Sequence, residues 1–177
     1  EFVMPDRVTG TSLTVNDVRS LTIVDSVFEK GVYGLHANAG QDGDLVRVES
    51  CVFEGQGSGL RSGGYTPWRG AVEISDSVFA DAEAYGVLAY DTVLHISDTQ
   101  VVGAGASGIY GTRHSALTLV GTDVSLVDGS CLQLYSNENS FVSESSFTDC
   151  GGDGIDARAN LVVDATVIDG VGGNCLD

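Results

Sequence analysis

Apolar and polar residues alternate in short bursts along this chain, and the bursts recur. An eight-residue unit reads apolar-x-apolar-x, then an acidic or small residue, then Ser, Thr or Cys, then x-apolar. It occurs as LTIVDSVF (21–28), VRVESCVF (46–53), VEISDSVF (72–79), LHISDTQV (94–101), LTLVGTDV (117–124), SFVSESSF (140–147) and LVVDATVI (161–168). A second anchor follows each unit, a Gly or Cys before an aliphatic residue. These anchors are Gly34-Leu35, Gly59-Leu60, Gly86-Val87, Gly108-Ile109, Cys131-Leu132, Gly154-Ile155 and Cys175-Leu176. Equivalent positions Ile23, Val48, Ile74, Ile96, Leu119, Val142 and Val163 lie 25, 26, 22, 23, 23 and 21 residues apart. Two anchors held in phase over seven units mark a repeat architecture.

Each unit holds two strands, too short to bury a core alone. Stacking the units places every strand beside its equivalent, parallel and about 4.8 Å away. Inward side chains then form columns. Leu21, Val46, Val72, Leu94 and Leu117 make one; Phe28, Phe53, Phe79, Val101, Val124, Phe147 and Ile168 make another. Ser26, Cys51, Ser77, Thr99, Thr122, Ser145 and Thr166 form a polar column able to hydrogen-bond the turn backbone coil after coil. The recurring glycine marks a bend that needs positive φ or a close backbone approach. Leucine-rich repeats would show a recurring Asn, propeller blades four strands per unit, and left-handed β-helices a hexapeptide rhythm; none is present. The pattern predicts an all-β chain, a right-handed parallel β-helix of about seven coils over residues 20–177, with residues 1–19 as a partial N-terminal coil or cap. The opening Glu1-Phe2, with Met4 the only methionine, and the stop just after the last anchor, with no capping helix, read as a piece of a longer chain.

Composition narrows the partners. The 25 acidic residues outnumber the 8 Lys and Arg, for a net charge of −17. Such a surface repels nucleic acid and anionic membranes, so neither is expected as a partner. No apolar run is long enough to span a bilayer, so no membrane insertion is expected. The charge suits a soluble secreted or cell-surface protein. Cys51, Cys131, Cys150 and Cys175 lack CxxC spacing, which argues against zinc. They allow three full pairings, although Cys51 falls on an inward position and reads as a buried thiol.

Candidate chemistry concentrates after the second anchor. Residues there alternate outward as His36, Arg61, Leu88, Tyr110, Gln133 and Asp156, then as Asn38, Gly63, Tyr90, Thr112, Tyr135 and Arg158. Tyrosine rings can stack on sugar C–H faces and Arg can pair with a carboxylate. The expected substrate-binding residues are therefore Trp68, Tyr90, Tyr110, Gln133, Tyr135, Asp156 and Arg158. Trp68 lies in the longer connection GGYTPWRG (63–70), and insertions in a regular solenoid often serve binding. On the first strand, Arg47 and Glu73 are expected to form a cross-coil ion pair.

With these repeats the chain resembles the parallel β-helix superfamily that includes pectate lyases, polygalacturonases and alginate-active lyases and epimerases, over about residues 20–177. The resemblance implies a groove along one sheet, flanked by loops, and, for any enzyme, a polysaccharide lyase or glycoside hydrolase. A uronate lyase needs a base and a carboxylate neutraliser, which His36 and Arg61 on adjacent coils would supply. The Asp-rich calcium site and proline-flanked arginine of pectate lyases are missing. GGDGID (151–156) resembles one polygalacturonase aspartate motif through Asp153 and Asp156, but the family's other elements do not follow in order. Asp42 and Asp44 in GQDGD are the candidate ligands for Ca²⁺, as are Asp149 and Asp153. Polysaccharide binding outside the cell is the expected function. The competing expectation is a non-catalytic structural or adhesive solenoid that self-associates end to end.

Overall fold

The computed structural model describes residues 7–9, 13–16, 18–38, 43–63 and 70–177. Every regular element among them is a β-strand, and all strand pairings are parallel. The chain winds as a parallel β-helix of about six turns. The seventh repeat closes only in part, through a single bridge from Leu176 to Ile155.

Each repeat contributes three strands rather than two, because the eight-residue unit bends in its middle. Ser20–Val24 begins the first sheet and Val27–Glu29 the second. Tyr33–Asn38 belongs to the third. The bend falls on the residue before the polar column. Asp25, Ser50, Asp76, Asp98, Gly121, Glu144 and Ala165 all sit there with φ between +45° and +58°. Asp tolerates this left-handed conformation better than most residues, which explains its use in three coils. A period-2 pattern cannot reveal the bend, since inward side chains resume on the far side of it.

The polar column fills the corner as expected. Ser77 Oγ donates to the Ser75 carbonyl at 2.7 Å and accepts the Cys51 amide at 3.1 Å. Thr99, Thr122, Ser145 and Thr166 repeat the first contact, each with the carbonyl two residues back. Thr122 N–H reaches Ser145 Oγ at 3.1 Å, repeating the second. Cys51 takes the same place with its sulfur 3.2 Å from the Glu49 carbonyl, and it is buried.

Beyond the corner lies the aromatic column. Phe28, Phe53 and Phe79 stack with ring centroids 4.6 Å apart and planes within 4° of parallel. That separation is the inter-strand spacing itself, so backbone pairing sets the ring stack. All three are buried, as are Val101, Val124 and Phe147 above them.

The anchor glycines do not adopt positive φ; a close approach explains them. A Cβ at Gly59 would meet Cδ1 of Phe79 at 2.5 Å and the Gly86 carbonyl oxygen at 2.7 Å. Gly34 stands in the same relation to Phe53. Cys131, which holds this position in its coil, is joined to Cys150 by a disulfide. Cys51 and Cys175 are free.

At the N-terminal end, Arg7–Thr9 pairs with Val27–Glu29 and Leu13–Asn16 with Tyr33–Asn38, so these segments continue the second and third sheets. At the other end, Leu132–Ser143 runs through both the third and first sheets, and Ile155–Asp164 lies beside it.

Candidate functional site

Among the described residues, the outer face of the third sheet gathers aromatic and cationic side chains: Tyr33, Arg61, Tyr85, Tyr90, Tyr110, Arg113, Tyr135 and Arg158. It is built on Tyr33–Asn38, Ser58–Ser62, Tyr85–Tyr90, Ser107–Arg113 and the first parts of Leu132–Ser143 and Ile155–Asp164. Register puts His36 beside Arg61, Arg61 beside Leu88, Leu88 beside Tyr110, Tyr110 beside Gln133 and Gln133 beside Asp156. Tyr90, Thr112, Tyr135 and Arg158 align as the second column. From the coil of Tyr33 to that of Asp156 the face extends about 24 Å at the usual strand spacing.

At one end, Arg61 donates to the Tyr33 hydroxyl at 2.8 Å. Its guanidinium carbon lies 5.3 Å from the Tyr33 ring centroid and 5.4 Å from that of Tyr90. Arg113 approaches Tyr90 as well, at 5.9 Å, and pairs with the buried Asp91 at 3.4 Å. Burial pushes the Tyr90 hydroxyl above its usual range. His36 tilts against Tyr33 at 5.5 Å.

In the middle, Tyr85 stacks on Tyr110 at 5.3 Å, and Tyr110 meets Tyr135 edge-on at 6.2 Å. At the other end the Tyr135 hydroxyl donates to the Asp156 carboxylate. The Gln133 amide donates to both, at 2.8 Å and 3.1 Å, and its own carbonyl oxygen accepts from Ser107 at 3.2 Å. Bonding to Asp156, then partial burial, hold the Tyr135 hydroxyl above its usual range. Arg158 lies over the Tyr135 ring at 5.4 Å. The network fixes a row of ring faces and donors before any ligand arrives, which lowers the ordering cost of binding.

The structure thus brings together Tyr90, Tyr110, Gln133, Tyr135, Asp156 and Arg158, with His36 and Arg61 at the far end. Leu88, although in an outward column, is buried. Trp68 and Asp42 lie outside the described residues. Asp44 is described, but among the described residues no cluster of three or more His, Cys, Asp or Glu is placed to hold a metal. Asp153, considered for Ca²⁺, accepts the Asn174 amide at 2.6 Å.

Three members of the face escape the sequence columns: Tyr33, Tyr85 and Arg113. Strict alternation counted back from Leu35 through Gly34 would place Tyr33 inside. Gly34 and Leu35 both face the core, however, because the missing glycine side chain makes room for Phe53. Tyr33 and Tyr85 therefore lie on the outer face, in contact with Arg61 and Tyr110. Arg113 sits at a left-handed corner, φ +63°, which redirects it over Tyr90.

The first sheet's outer face contrasts with this one. There the expected Arg47–Glu73 pair forms, at 2.7 Å and 3.0 Å, exposed to solvent. Among the described residues no helix is long and apolar enough to cross a membrane.

No protein of curated function matches the chain. Among solved structures, a trypsin-treated form of QnrB1, a plasmid-mediated fluoroquinolone resistance protein, aligns over 91% of this chain and 92% of its own. Its identity is 11% and its TM-score 0.28, too low to support any argument. The model of the right-handed beta helix region matches residues 65–176. That match spans more than half of the sequence and agrees with the coil-by-coil pairing described above, so the chain belongs to the right-handed β-helix family.

Proposed function

We propose that the outer face of the third sheet binds polysaccharide outside the cytoplasm. The observation that carries this reading is the continuous Tyr–Arg–Gln–Asp surface from Tyr33 to Arg158. It crosses six consecutive coils of a chain that is otherwise strongly acidic. Such a face offers rings for sugar C–H faces and fixed donors and acceptors for hydroxyls. The Cys131–Cys150 disulfide supports a compartment where thiols oxidise. His36, one strand from Arg61, is the base this face offers for any uronate elimination.

Affinity gel electrophoresis against a panel of soluble polysaccharides tests the reading. Retardation by at least one polymer, lost in Tyr110→Ala/Tyr135→Ala, is the expected result. Retention by none, or retention that both substitutions leave intact, would overturn it.

A second reading is a structural solenoid that self-associates. Phe141 and Val162 favour it, paired in register and exposed on the outer face of the first sheet. Sedimentation velocity showing only monomer up to high concentration would remove it.

A further inference from the structure

The arginines of this chain are not held alike. Arg47 has Glu73 at 2.7 Å and Arg113 has Asp91 at 3.4 Å. Arg61 is half-buried and lies near two tyrosine rings, and among the described residues no carboxylate lies within ion-pair distance of it. One terminal nitrogen donates to the Tyr33 hydroxyl, and Nε is buried without a partner. A partly desolvated cation lacking a counter-charge is costly, and a guanidinium has five donors to satisfy. In a chain with 25 acidic residues, the lack of an ion-paired carboxylate among the described residues is an informative placement.

The charge on the rest of the face sets how much negative charge a ligand can bring. Arg61, Arg113 and Arg158 stand against Asp91 and Asp156, so these five leave one positive charge, while the chain as a whole carries −17. A polymer with a carboxylate on every unit would bring several negative charges onto the face's roughly 24 Å length. The net charge of the face balances only one of them. The others would lie beside Asp91, Asp156 and the acidic flanks, where like charges repel.

We propose that Arg61, with the Tyr33 hydroxyl beside it, is a subsite for a single carboxylate. The ligand of the face is then a mainly uncharged polysaccharide bearing an occasional acidic unit. Its neutral units lie along Tyr110 and Tyr135, two and three coils away. This inference rests on the polysaccharide reading and names the class of polymer.

Three probes test it by isothermal titration at low salt: glucuronoxylan, the same polymer with its carboxyls reduced to alcohols, and polygalacturonate. Glucuronoxylan is expected to bind about tenfold tighter than its reduced form, the size of one charge-assisted contact. Polygalacturonate is expected to bind most weakly. Arg61→Gln brings the ratio between the first two polymers close to one, Arg61→Lys restores part of it, and added salt narrows it. Thermal unfolding of both variants checks that the fold is kept. Equal affinity for the native and reduced polymers, a ratio unchanged in Arg61→Gln, or strongest binding to polygalacturonate would each overturn the proposal. Tyr110→Ala/Tyr135→Ala separates the two readings. If it weakens all binding while Arg61 discriminates nothing, only the carboxylate subsite falls. If no polymer binds, the polysaccharide reading falls and takes the subsite with it.

Discussion

One aromatic column runs inside this solenoid and a row of tyrosine rings crosses its outer face, and the two are built differently. Inside, Phe28, Phe53 and Phe79 lie flat on one another at the strand repeat, with planes 2° and 4° apart. Outside, Tyr85, Tyr110 and Tyr135 stand 5.3 Å and 6.2 Å apart, with planes at 27° and 90°. The inner rings occupy equivalent positions, whereas Tyr85 registers with Ser107, Tyr110 with Gln133 and Tyr135 with Thr112, so the strand repeat does not set the outer spacings. Close packing removes every rotamer but one for the buried rings. The outer rings are half-buried, and their orientation is set by specific partners: Arg61 and Arg113 around Tyr90, Gln133 and Asp156 around Tyr135. A column that merely repeats the strand spacing reports the fold. The outer row, drawn from non-equivalent positions and held by polar contacts, has no such constraint, and binding is the reading proposed for it.

The sharpest way to break this comparison is to delete one ring from each column. Phe53→Ala opens a cavity between two stacked neighbours and is expected to cost about 3–5 kcal/mol in urea unfolding. Tyr110→Ala is expected to cost less than about 1.5 kcal/mol while removing polysaccharide binding. Similar losses for the two would erase the distinction between scaffold and surface. The next effect concerns the space the inner column occupies. Gly59→Ala drives a methyl into Phe79 and the Gly86 carbonyl and should lower stability by about 1–3 kcal/mol. A thermal midpoint equal to that of the parent would mean that the coils part easily. Smaller still, Ser77→Ala leaves the buried Cys51 amide without its acceptor, on the order of 1 kcal/mol. Ser146→Ala, which removes a solvent-exposed bond to Asp123, is expected to change little. The smallest effect is in titration. Because its hydroxyl is bonded to Asp156, Tyr135 should ionise at higher pH than an ordinary tyrosine. A folded-state value raised in this way adds stability that is complete below the unfolded-state value and is lost as pH rises through the folded one. Asp156→Asn should bring the ultraviolet titration of Tyr135 back toward the ordinary range. If it stays put, the hydrogen bond is not the cause.

How much of this was legible beforehand follows from the same inside–outside division. The inner columns could be read residue by residue, from Leu21 through Phe147, because burial admits only apolar side chains at a fixed period. The corner ladder of Ser, Thr and Cys was readable for a related reason, since a buried turn must satisfy its own amides. The outer columns were only partly readable. Tyr110, Gln133, Tyr135 and Asp156 fell into place by alternation, whereas Tyr33 and Tyr85 did not, because the glycine that follows each is buried together with the next residue.

The sequence by itself determined the repeat, the identity of the core and the choice of one face as chemically distinct. These follow from periodicity, and a solenoid's contacts are nearly all between equivalent positions in neighbouring coils. Only the tertiary structure decided that each repeat bends into three strands, that Cys131 pairs with Cys150, and that Arg61 lies near Tyr33 and Tyr90 with no carboxylate at ion-pair distance among the described residues. Those features depend on left-handed corners and on side-chain directions between coils. No spacing along a single chain encodes them.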